Sequence, residues 1–238
     1  NMNIVILTAA GTGTRMHQDI PKQFIHVDNK PVIAYTMEAF EKHPSIDAIV
    51  VVTISSWKEV LYAYAKQFNI SKLSLVVDGG DTGQESIYNG LKAIEKKYGK
   101  KDNTVIVHDG NRPLVSTEII SDALATYKQF GSSVAAIPCV EVVFSSDDGI
   151  VAGKSIPRER LFRTQTPHVY SVEKLLWAHE EAKKKNIPST AASCDLMYQL
   201  GEKVYFSRGT EENFKITTVD DLTMFKAMLK TRRDEWIK

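Results

Sequence analysis

The feature that most constrains the fold of this chain is an apolar run near its beginning that leads directly into a glycine-rich, basic loop. Residues 4–7 read IVIL, and such a continuous apolar run is typical of a strand buried on both faces of a parallel sheet. The loop that follows reads TAAGTGTRM over residues 8–16, and residues 21–23 read PKQ. Small residues let backbone N–H groups approach a phosphate closely, and Arg15 and Lys22 add positive charge. This arrangement predicts a triphosphate held at the edge of an α/β sheet.

Strand-like runs alternate with segments of helical periodicity through the first half of the chain. The predicted strands after the first are residues 47–52, 73–77, 104–108 and 133–137, and the predicted helices are residues 31–43, 56–68, 84–98 and 117–130. Alternation at this spacing implies right-handed βαβ crossovers. It therefore predicts an α/β fold with a doubly wound, mostly parallel sheet.

Polar and glycine-rich clusters follow three of the predicted strands, at the point where each strand ends. The first strand leads to the loop with Arg15 and Lys22, the strand at residues 73–77 leads to residues 78–81 (DGGD), and the strand at residues 104–108 leads to residues 109–113 (DGNRP). Ligands of such sheets bind outside the carboxyl ends of the strands. We expect the three clusters to meet at one edge and form one site.

The alternation breaks between residues 139 and 164. This segment carries the turn-like letters SSDDG at residues 145–149, between two short runs at residues 140–144 and 150–154. It predicts a hairpin-like β-arm that projects from the sheet. Because such arms often reach a second subunit, we expect a homodimer with residues 139–164 as the dimerisation arm.

Composition narrows the class of protein. The chain has 238 residues, of which 43% are hydrophobic and 25% are charged, so we expect a single domain over residues 1–238 with a substantial core. Its formal net charge is +1, and we expect neither nucleic acid nor a membrane as a partner. Two cysteines without a CxxC pair, and apolar runs no longer than a strand, predict a cytoplasmic location.

Three explanations compete for the glycine loop. A dinucleotide fingerprint needs a third glycine where Met16 stands, and a Walker loop needs a Gly-Lys-Ser/Thr ending that is absent. A nucleotidyltransferase loop, in which Arg15 and Lys22 clamp the β- and γ-phosphates of a nucleoside triphosphate, remains. A plain turn with surface cations, an NAD-dependent oxidoreductase and a nucleotide-binding protein without turnover stay open as alternatives.

Nucleotidyl transfer requires few specialised groups. Negative charge develops on the α-phosphate and on the departing pyrophosphate, and positioned cations and a divalent metal stabilise both. A phosphate acceptor is already ionised near neutral pH and needs no general base. Asp109, at a predicted strand end, offers the hard oxygen ligand that Mg²⁺ prefers. His108 beside it is interpreted as a packed histidine instead of a catalytic partner.

Together the motifs resemble one family. The segments AAGxGxRM, PKQ, GGD with a following serine, HDxxRP, QTP and NxKITT are similar to those of the CTP-dependent cytidylyltransferases acting on 2-C-methyl-D-erythritol 4-phosphate or on ribitol 5-phosphate. The resemblance runs from about residue 3 to about residue 230. It implies a Rossmann-like nucleotidyltransferase fold, CTP and a small polyol phosphate as substrates, Mg²⁺ as cofactor, a homodimer and the release of pyrophosphate.

The resemblance also implies roles for individual residues. The positions matching the nucleotide site are Ala9, Ala10, Gly11, Gly80, Asp81 and Ser86. The positions matching the catalytic cations are Arg15, Lys22 and Lys215 on the triphosphate and Arg158 at the end of the arm. The positions matching the acceptor site are Asp109, Arg112, Arg158 and Thr166, with Asp109 also matching the metal ligand. Arg158 is expected to reach the acceptor phosphate across the dimer.

The acceptor side departs from the erythritol-phosphate pattern. The departures are Gly83 for an arginine, Gly110-Asn111 for two small residues, Val142 for a threonine, His168 for a glutamine, and Ala191-Ala192 where Thr-Asp is expected. Lost hydroxyls change which acceptor groups find hydrogen-bond partners in the pocket. We therefore expect ribitol 5-phosphate as the acceptor, with 2-C-methyl-D-erythritol 4-phosphate as the alternative.

Overall fold

The computed structural model describes residues 1–11 and 20–237, with side chains described up to residue 232. The predicted cation Arg15 and the second half of the glycine loop lie outside the described residues. The strands are β1 (Asn3–Ala9), β2 (His26–Val27), β3 (Lys30–Pro31), β4 (Ala48–Thr53), β5 (Leu73–Asp78), β6 (Thr104–Asp109), β7 (Ser133–Pro138), β8 (Val143–Phe144), β9 (Ser155–Ile156), β10 (Phe162–Ser171) and β11 (Phe206–Arg208). The helices are α1 (Val32–Glu41), α2 (Lys58–Gln67), α3 (Gly83–Tyr98), α4 (Thr117–Phe130), α5 (Val172–Lys184), α6 (Ser193–Gln199) and α7 (Val219–Ile237).

The central sheet confirms the predicted α/β fold. Its strand order is β11-β7-β10-β6-β1-β4-β5. β1 runs parallel to β4 and β6, β5 runs parallel to β4, and β11 runs parallel to β7. The sheet is therefore mostly parallel, as the strand–helix alternation predicted.

Strand β10 is the exception, and the sequence reasoning did not identify it as a strand. It runs antiparallel to both β6 and β7, with His168 opposite Val107 and Ser171 opposite Thr104. Because the two strands run in opposite directions, the first half of β10 lies beside the carboxyl end of β6. This position brings Thr166 to the same edge of the sheet as the loop that follows β6.

The core lies on both faces of the sheet, which explains the uninterrupted apolar run of β1. Val5 and Leu7 face one apolar cluster with α1, α2 and α4, while Ile4 and Ile6 face the other with α3, α5 and α6. All four side chains are fully buried. A strand covered by helices on both faces has no solvent side on which a polar residue would be favoured.

Two of the predicted helices owe their starting points to capping side chains. Thr82 Oγ1 accepts a hydrogen bond from Glu85 N at the start of α3, and Ser116 Oγ accepts one from Ile119 N at the start of α4. Both starts lie within a residue of the predicted ones.

Among the described helices, none is long and apolar enough to cross a membrane. The cytoplasmic location stays a prediction.

The arm exists, but its predicted second strand at residues 150–154 is wrong. The returning strand is β9, with Val143 paired to Ile156 and Phe144 paired to Ser155. The cause is a side-chain turn: Asp148 Oδ1 accepts hydrogen bonds from Ile150 N at 2.8 Å and Val151 N at 3.0 Å. Backbone donors held in this way are not available to a ladder, so pairing begins only after the turn.

Candidate active site

The cleft at the carboxyl ends of β1, β5 and β6 brings the predicted clusters together. Its cavity volume is about 640 Å³, which is within the usual range for a small-molecule site. The predicted site residues that line it are Ala9, Ala10, Gly11, Lys22, Gly80, Asp81, Ser86, Asp109, Arg112, Thr166 and Lys215. The predicted convergence is therefore observed, while the roles of these residues in binding stay predictions.

One wall of the cleft is the start of the glycine loop, and a buried glutamine fixes it. Gln23 Nε2 donates hydrogen bonds to the carbonyl oxygens of Ala9 at 2.7 Å and Gly11 at 3.1 Å. Gln23 belongs to the 3-10 turn Lys22–Phe24, so the same turn that holds the loop also carries Lys22 into the cleft. The sequence reasoning quoted Gln23 within the PKQ motif but gave it no role.

The loop after β5 forms the facing wall. Gly80 N donates to Ser86 Oγ at 3.1 Å, and Asp81 N donates to Glu85 Oε2 at 2.8 Å. A Cβ at Gly79 would lie 2.5 Å from the Cβ of Ala10, so only glycine lets the two loops approach this closely. The two loops together therefore form one narrow, backbone-rich surface of the kind that binds a nucleotide.

At the centre of the cleft lies Asp109, at the end of β6, with two cations beside it. Arg112 Nε donates to Asp109 Oδ2 at 2.8 Å, and Lys215 Nζ lies 3.9 Å from Oδ1. Burial raises the pKa of the Asp109 carboxyl, but the charges of Lys215 and Arg112 outweigh this effect and hold the pKa well below its usual range. Asp109 is therefore ionised at neutral pH and orients both cations.

Buried hydrogen bonds behind Asp109 fix the ion pair. His108 Nε2 lies 3.0 Å from the carbonyl oxygen of Arg112, which can only accept, so Nε2 carries the ring proton. His108 Nδ1 then accepts from the hydroxyl of Thr166, whose oxygen accepts from Asp109 N at 3.0 Å. Burial lowers the pKa of His108 to about 4, so the ring is neutral at pH 7. His108 is the packed histidine that the sequence predicted.

Lys215 is positioned at the cleft by the buried side chain and the carbonyl oxygen of Asn213, two residues before it. Asn213 Nδ2 donates to Gln165 Oε1 at 3.0 Å and to the carbonyl oxygen of Thr166 at 2.8 Å. Arg112 Nη1 donates to the carbonyl oxygen of Asn213 at 2.8 Å. Sequence reasoning missed Asn213 and Gln165 as site residues, although the motifs NxKITT and QTP contain them.

Arg158 lies apart from these residues. It sits on the 3-10 turn Arg158–Arg160 at the base of the arm, and its Nη1 donates to the carbonyl oxygen of Val140 at 3.1 Å. It does not line the cleft of its own chain. Its predicted contact with an acceptor in a second subunit is not tested by a single chain.

The described residues fit Mg²⁺ as a metal held mainly by phosphates. No group of three or more histidine, cysteine, aspartate or glutamate side chains that could hold a metal occurs among the described residues. Asp109 offers one carboxylate, and Mg²⁺ at phosphate sites commonly takes one or two carboxylates plus phosphate oxygens and water. The cleft is therefore compatible with a metal that arrives with a triphosphate.

Comparisons with known proteins point to one chemistry. The family model for 2-C-methyl-D-erythritol 4-phosphate cytidylyltransferase, IspD, matches residues 3–231. A ribitol-5-phosphate cytidylyltransferase of Lacticaseibacillus paracasei is 38% identical, with 97% of this chain and 99% of the relative covered. A 2-C-methyl-D-erythritol 4-phosphate cytidylyltransferase of Clostridium botulinum is 36% identical, with 96% and 97% covered. The 4-diphosphocytidyl-2C-methyl-D-erythritol synthase of Anaerococcus prevotii shares the fold, with a TM-score of 0.82, 23% identity and 96% of each chain covered.

Proposed function

Because this chain belongs to the 2-C-methyl-D-erythritol 4-phosphate cytidylyltransferase family, we propose that it makes CDP-ribitol from CTP and ribitol 5-phosphate. The coarser activity is that of the family: the chain is a nucleotidyltransferase that transfers CMP from CTP to a polyol phosphate. An NAD-dependent oxidoreductase and a nucleotide-binding protein without turnover are therefore set aside. CDP-ribitol made by this reaction would serve the synthesis of a surface polymer such as a teichoic acid.

One observation carries the mechanism, namely the convergence of Lys22, Arg112 and Lys215 on one cleft around Asp109. An oxygen of the acceptor phosphate attacks the α-phosphorus of CTP, a new P–O bond forms, and the bond to the β-phosphate oxygen breaks. Pyrophosphate leaves with the electron pair of that bond. Fixed cations stabilise the charge that builds up on the transferring and leaving phosphates without reorganising during the reaction.

The two halves of the cleft are proposed to bind different substrates. The backbone of the two glycine loops, over residues 9–11 and 79–81, is proposed to hold the cytidine and its phosphates, with Lys22 on the triphosphate. Asp109, Arg112 and Thr166, on and after the two strands β6 and β10, are proposed to face the acceptor. Since the acceptor phosphate is ionised near neutral pH, none of these residues has to remove a proton.

Mg²⁺ is part of the proposal. When bound, it would neutralise triphosphate oxygens and add its positive charge to that of the lysine and arginine side chains in the cleft. Asp109 is the carboxylate that would ligate it, beside Lys215 and Arg112.

The lining of the cleft supports the proposed acceptor. Four of the five departures from the erythritol-phosphate pattern reach the cavity, through Gly83, Asn111, His168 and the pair Ala191-Ala192, and therefore face the substrates. The two alanines offer methyl groups and no hydroxyl to satisfy a branched tertiary alcohol. Relatives named for each acceptor match this chain over nearly its full length and with similar identity, at 38% for the ribitol enzyme of Lacticaseibacillus paracasei and at 36% and 38% for erythritol enzymes of two Clostridium botulinum strains.

The test is a direct comparison of the two acceptors. We expect kcat/KM for ribitol 5-phosphate to exceed that for 2-C-methyl-D-erythritol 4-phosphate by about tenfold or more, which corresponds to about 1.4 kcal/mol of transition-state discrimination. Pyrophosphate release at saturating CTP and Mg²⁺ measures both values on the same enzyme preparation. A tenfold preference for the erythritol compound would instead assign the chain to the synthesis of isoprenoid precursors.

The arm is proposed to complete the acceptor site of a second subunit. Five apolar side chains on it are more than half exposed in the single chain: Val140, Val142, Phe144, Ile150 and Val151. A row of exposed apolar groups of this size is typical of a protein–protein interface. In a homodimer closed by these arms, Arg158 would enter the cleft of the partner.

Mixing two inactive variants tests this exchange. An Arg158→Ala subunit and a Lys22→Ala subunit would each be defective alone, but a hybrid dimer would contain one site with both residues intact. Because about half of randomly formed dimers are hybrids, we expect about a quarter of wild-type activity to return. The measurement is pyrophosphate release after co-refolding equal amounts of the two variants.

Arg160→Ala is the matched control, because Arg160 lies on the same exposed 3-10 turn and has no proposed role. This variant should remain active by itself. If verified Arg158→Ala and Lys22→Ala heterodimers stay inactive, Arg158 serves its own subunit or has no part in catalysis.

A further inference from the structure

The segment over residues 190–193, between α5 and α6, forms part of the cleft wall and has two side-chain anchors. Thr190 Oγ1 donates to Gln84 Oε1 at 2.9 Å, at the start of α3. At the other end, Ser193 Oγ lies 2.6 Å from His168 Nδ1 on β10. Between the anchors stand Ala191 and Ala192, which line the cleft themselves. The segment therefore spans from the nucleotide-loop helix to the strand that flanks β6.

The direction of the hydrogen bond between Ser193 and His168 is determined by its surroundings. His168 Nε2 lies 2.8 Å from the carbonyl oxygen of Gln165, which can only accept, so Nε2 carries the ring proton. Nδ1 is then a bare acceptor, and the hydroxyl of Ser193 donates to it. Burial lowers the pKa of His168 to about 4, which keeps the ring neutral at pH 7 and the bond in this direction.

The anchors add to the hydrogen bonds that the carbonyl oxygen of Ala192 accepts within the segment and from the first turn of α6. Ala191 and Ala192 present only methyl groups, so the position of their backbone sets the width of the cleft. His168 and Ser193 are both nearly fully buried, at 2% and 5% exposure, and their hydrogen bond is therefore protected from competition with water. Without it, the ring nitrogen of His168 would be left buried without a donor, and the segment would lose its side-chain contact with β10.

The strand order indicates which substrate this wall touches. β10 flanks β6 on the side opposite β1, β4 and β5, and the glycine loops follow β1 and β5. His168 therefore stands beyond Asp109 and Arg112 as seen from the nucleotide half of the cleft. The end of the wall that His168 holds therefore borders the acceptor half.

We propose that His168 and Ser193 are positioning residues that determine acceptor specificity by holding Ala191 and Ala192 as a fixed wall of the acceptor pocket. The proposal deepens the assignment of the acceptor and rests on the proposed function. A fixed wall of methyl groups offers no hydrogen-bond partner to a branched tertiary alcohol and confines a straight chain in the reactive orientation. A loosened wall accommodates both acceptors and orients neither.

Ser193→Ala tests the proposal because it removes the donor to His168 and leaves Ala191 and Ala192 unchanged. We expect KM for ribitol 5-phosphate to rise about tenfold, KM for CTP to change less than twofold, and the ratio of kcat/KM between ribitol 5-phosphate and 2-C-methyl-D-erythritol 4-phosphate to fall about fivefold or more. Ser193→Thr keeps the hydroxyl and should restore the ratio. The measurements are initial rates of pyrophosphate release with each acceptor varied at saturating CTP.

Ser171→Ala is the matched control for a loss of stability alone. Ser171 Oγ accepts from Lys174 N at 3.0 Å at the start of α5, and it does not line the cleft. This variant should lower the melting temperature and leave both KM values and the acceptor ratio unchanged. If Ser193→Ala does not fold, Thr190→Val removes the other anchor and must give the same selective loss.

The proposal is overturned if Ser193→Ala keeps both the KM for ribitol 5-phosphate and the ratio of kcat/KM between the two acceptors within twofold of the wild-type values. It is also overturned if the KM for CTP rises as much as the KM for ribitol 5-phosphate. The comparison of the two acceptors on the wild-type enzyme tests the proposed function separately. If it prefers the erythritol compound, the assigned acceptor is wrong, while the change in KM and in the ratio on Ser193→Ala still tests the wall.

Discussion

Replacing Lys22 by alanine is expected to lower kcat for cytidylyl transfer by about 10²–10³ while the protein stays folded. Lys22 lines the cleft from a turn that Gln23 ties to the carbonyl oxygens of Ala9 and Gly11, so its charge is delivered to a fixed place. An oriented cation acts mainly on the charge of the transition state, and its loss should therefore reduce kcat more than it raises KM for CTP. Arg15→Ala and Lys215→Ala are expected to act in the same direction.

Single-turnover rates with saturating CTP and acceptor measure this effect, and the thermal melting temperature reports on the fold. Lys92→Ala is the matched control, because Lys92 is an exposed lysine of α3 that pairs with Glu95 and does not line the cleft. A near-normal kcat in Lys22→Ala would remove Lys22 from the proposed triphosphate clamp.

Replacing Asp109 by asparagine is expected to lower kcat/KM by about 10² and to raise the Mg²⁺ concentration needed for half-maximal rate. The substitution keeps the size of the side chain but removes the charge that pairs with Arg112 at 2.8 Å and faces Lys215 at 3.9 Å. Both cations would then lose the group that orients them, and the metal would lose its carboxylate. A Mg²⁺ titration of the initial rate, performed at saturating substrates, separates the loss of metal affinity from the loss of turnover.

Asp78→Asn is the control for this experiment. Asp78 ends β5 as Asp109 ends β6, but it accepts a hydrogen bond from Ser55 Oγ and does not line the cleft. Its replacement should leave the Mg²⁺ dependence unchanged. If Asp109→Asn shows the wild-type Mg²⁺ dependence, the carboxylate is an orienting group for Arg112 and Lys215 and not a metal ligand.

Most of the fold and much of the cleft could be predicted from the sequence, because both depend on short-range patterns. The apolar residues 4–7 identify a doubly covered strand, and parallel strands place all their carboxyl ends at one edge. The loops with Lys22, Gly80 and Asp109 then meet without any knowledge of side-chain contacts. The apolar spacing of residues 84–98 and 117–130 likewise predicted α3 and α4, whose starts the side chains of Thr82 and Ser116 cap in the structure.

The turn of the arm shows that a local sequence pattern can place a strand at the wrong residues. Residues 150–154 have the apolar content of a strand, but Asp148 holds the backbone donors of Ile150 and Val151. The competition between a side-chain acceptor and a strand partner depends on geometry that composition does not contain. Pairing therefore begins at Ser155 instead.

The sequence by itself determined the fold class, the family and the edge of the sheet at which chemistry takes place. Only the tertiary structure decided that β10 enters the sheet antiparallel, and that its residues Thr166 and His168 stand beside Asp109. His168 meets Ser193 across 25 residues, and Gln165 meets Asn213 across 48. Hydrogen bonds between such distant residues leave no periodic trace in the chain, because they depend on strand order and direction, which are chosen by packing of the whole core.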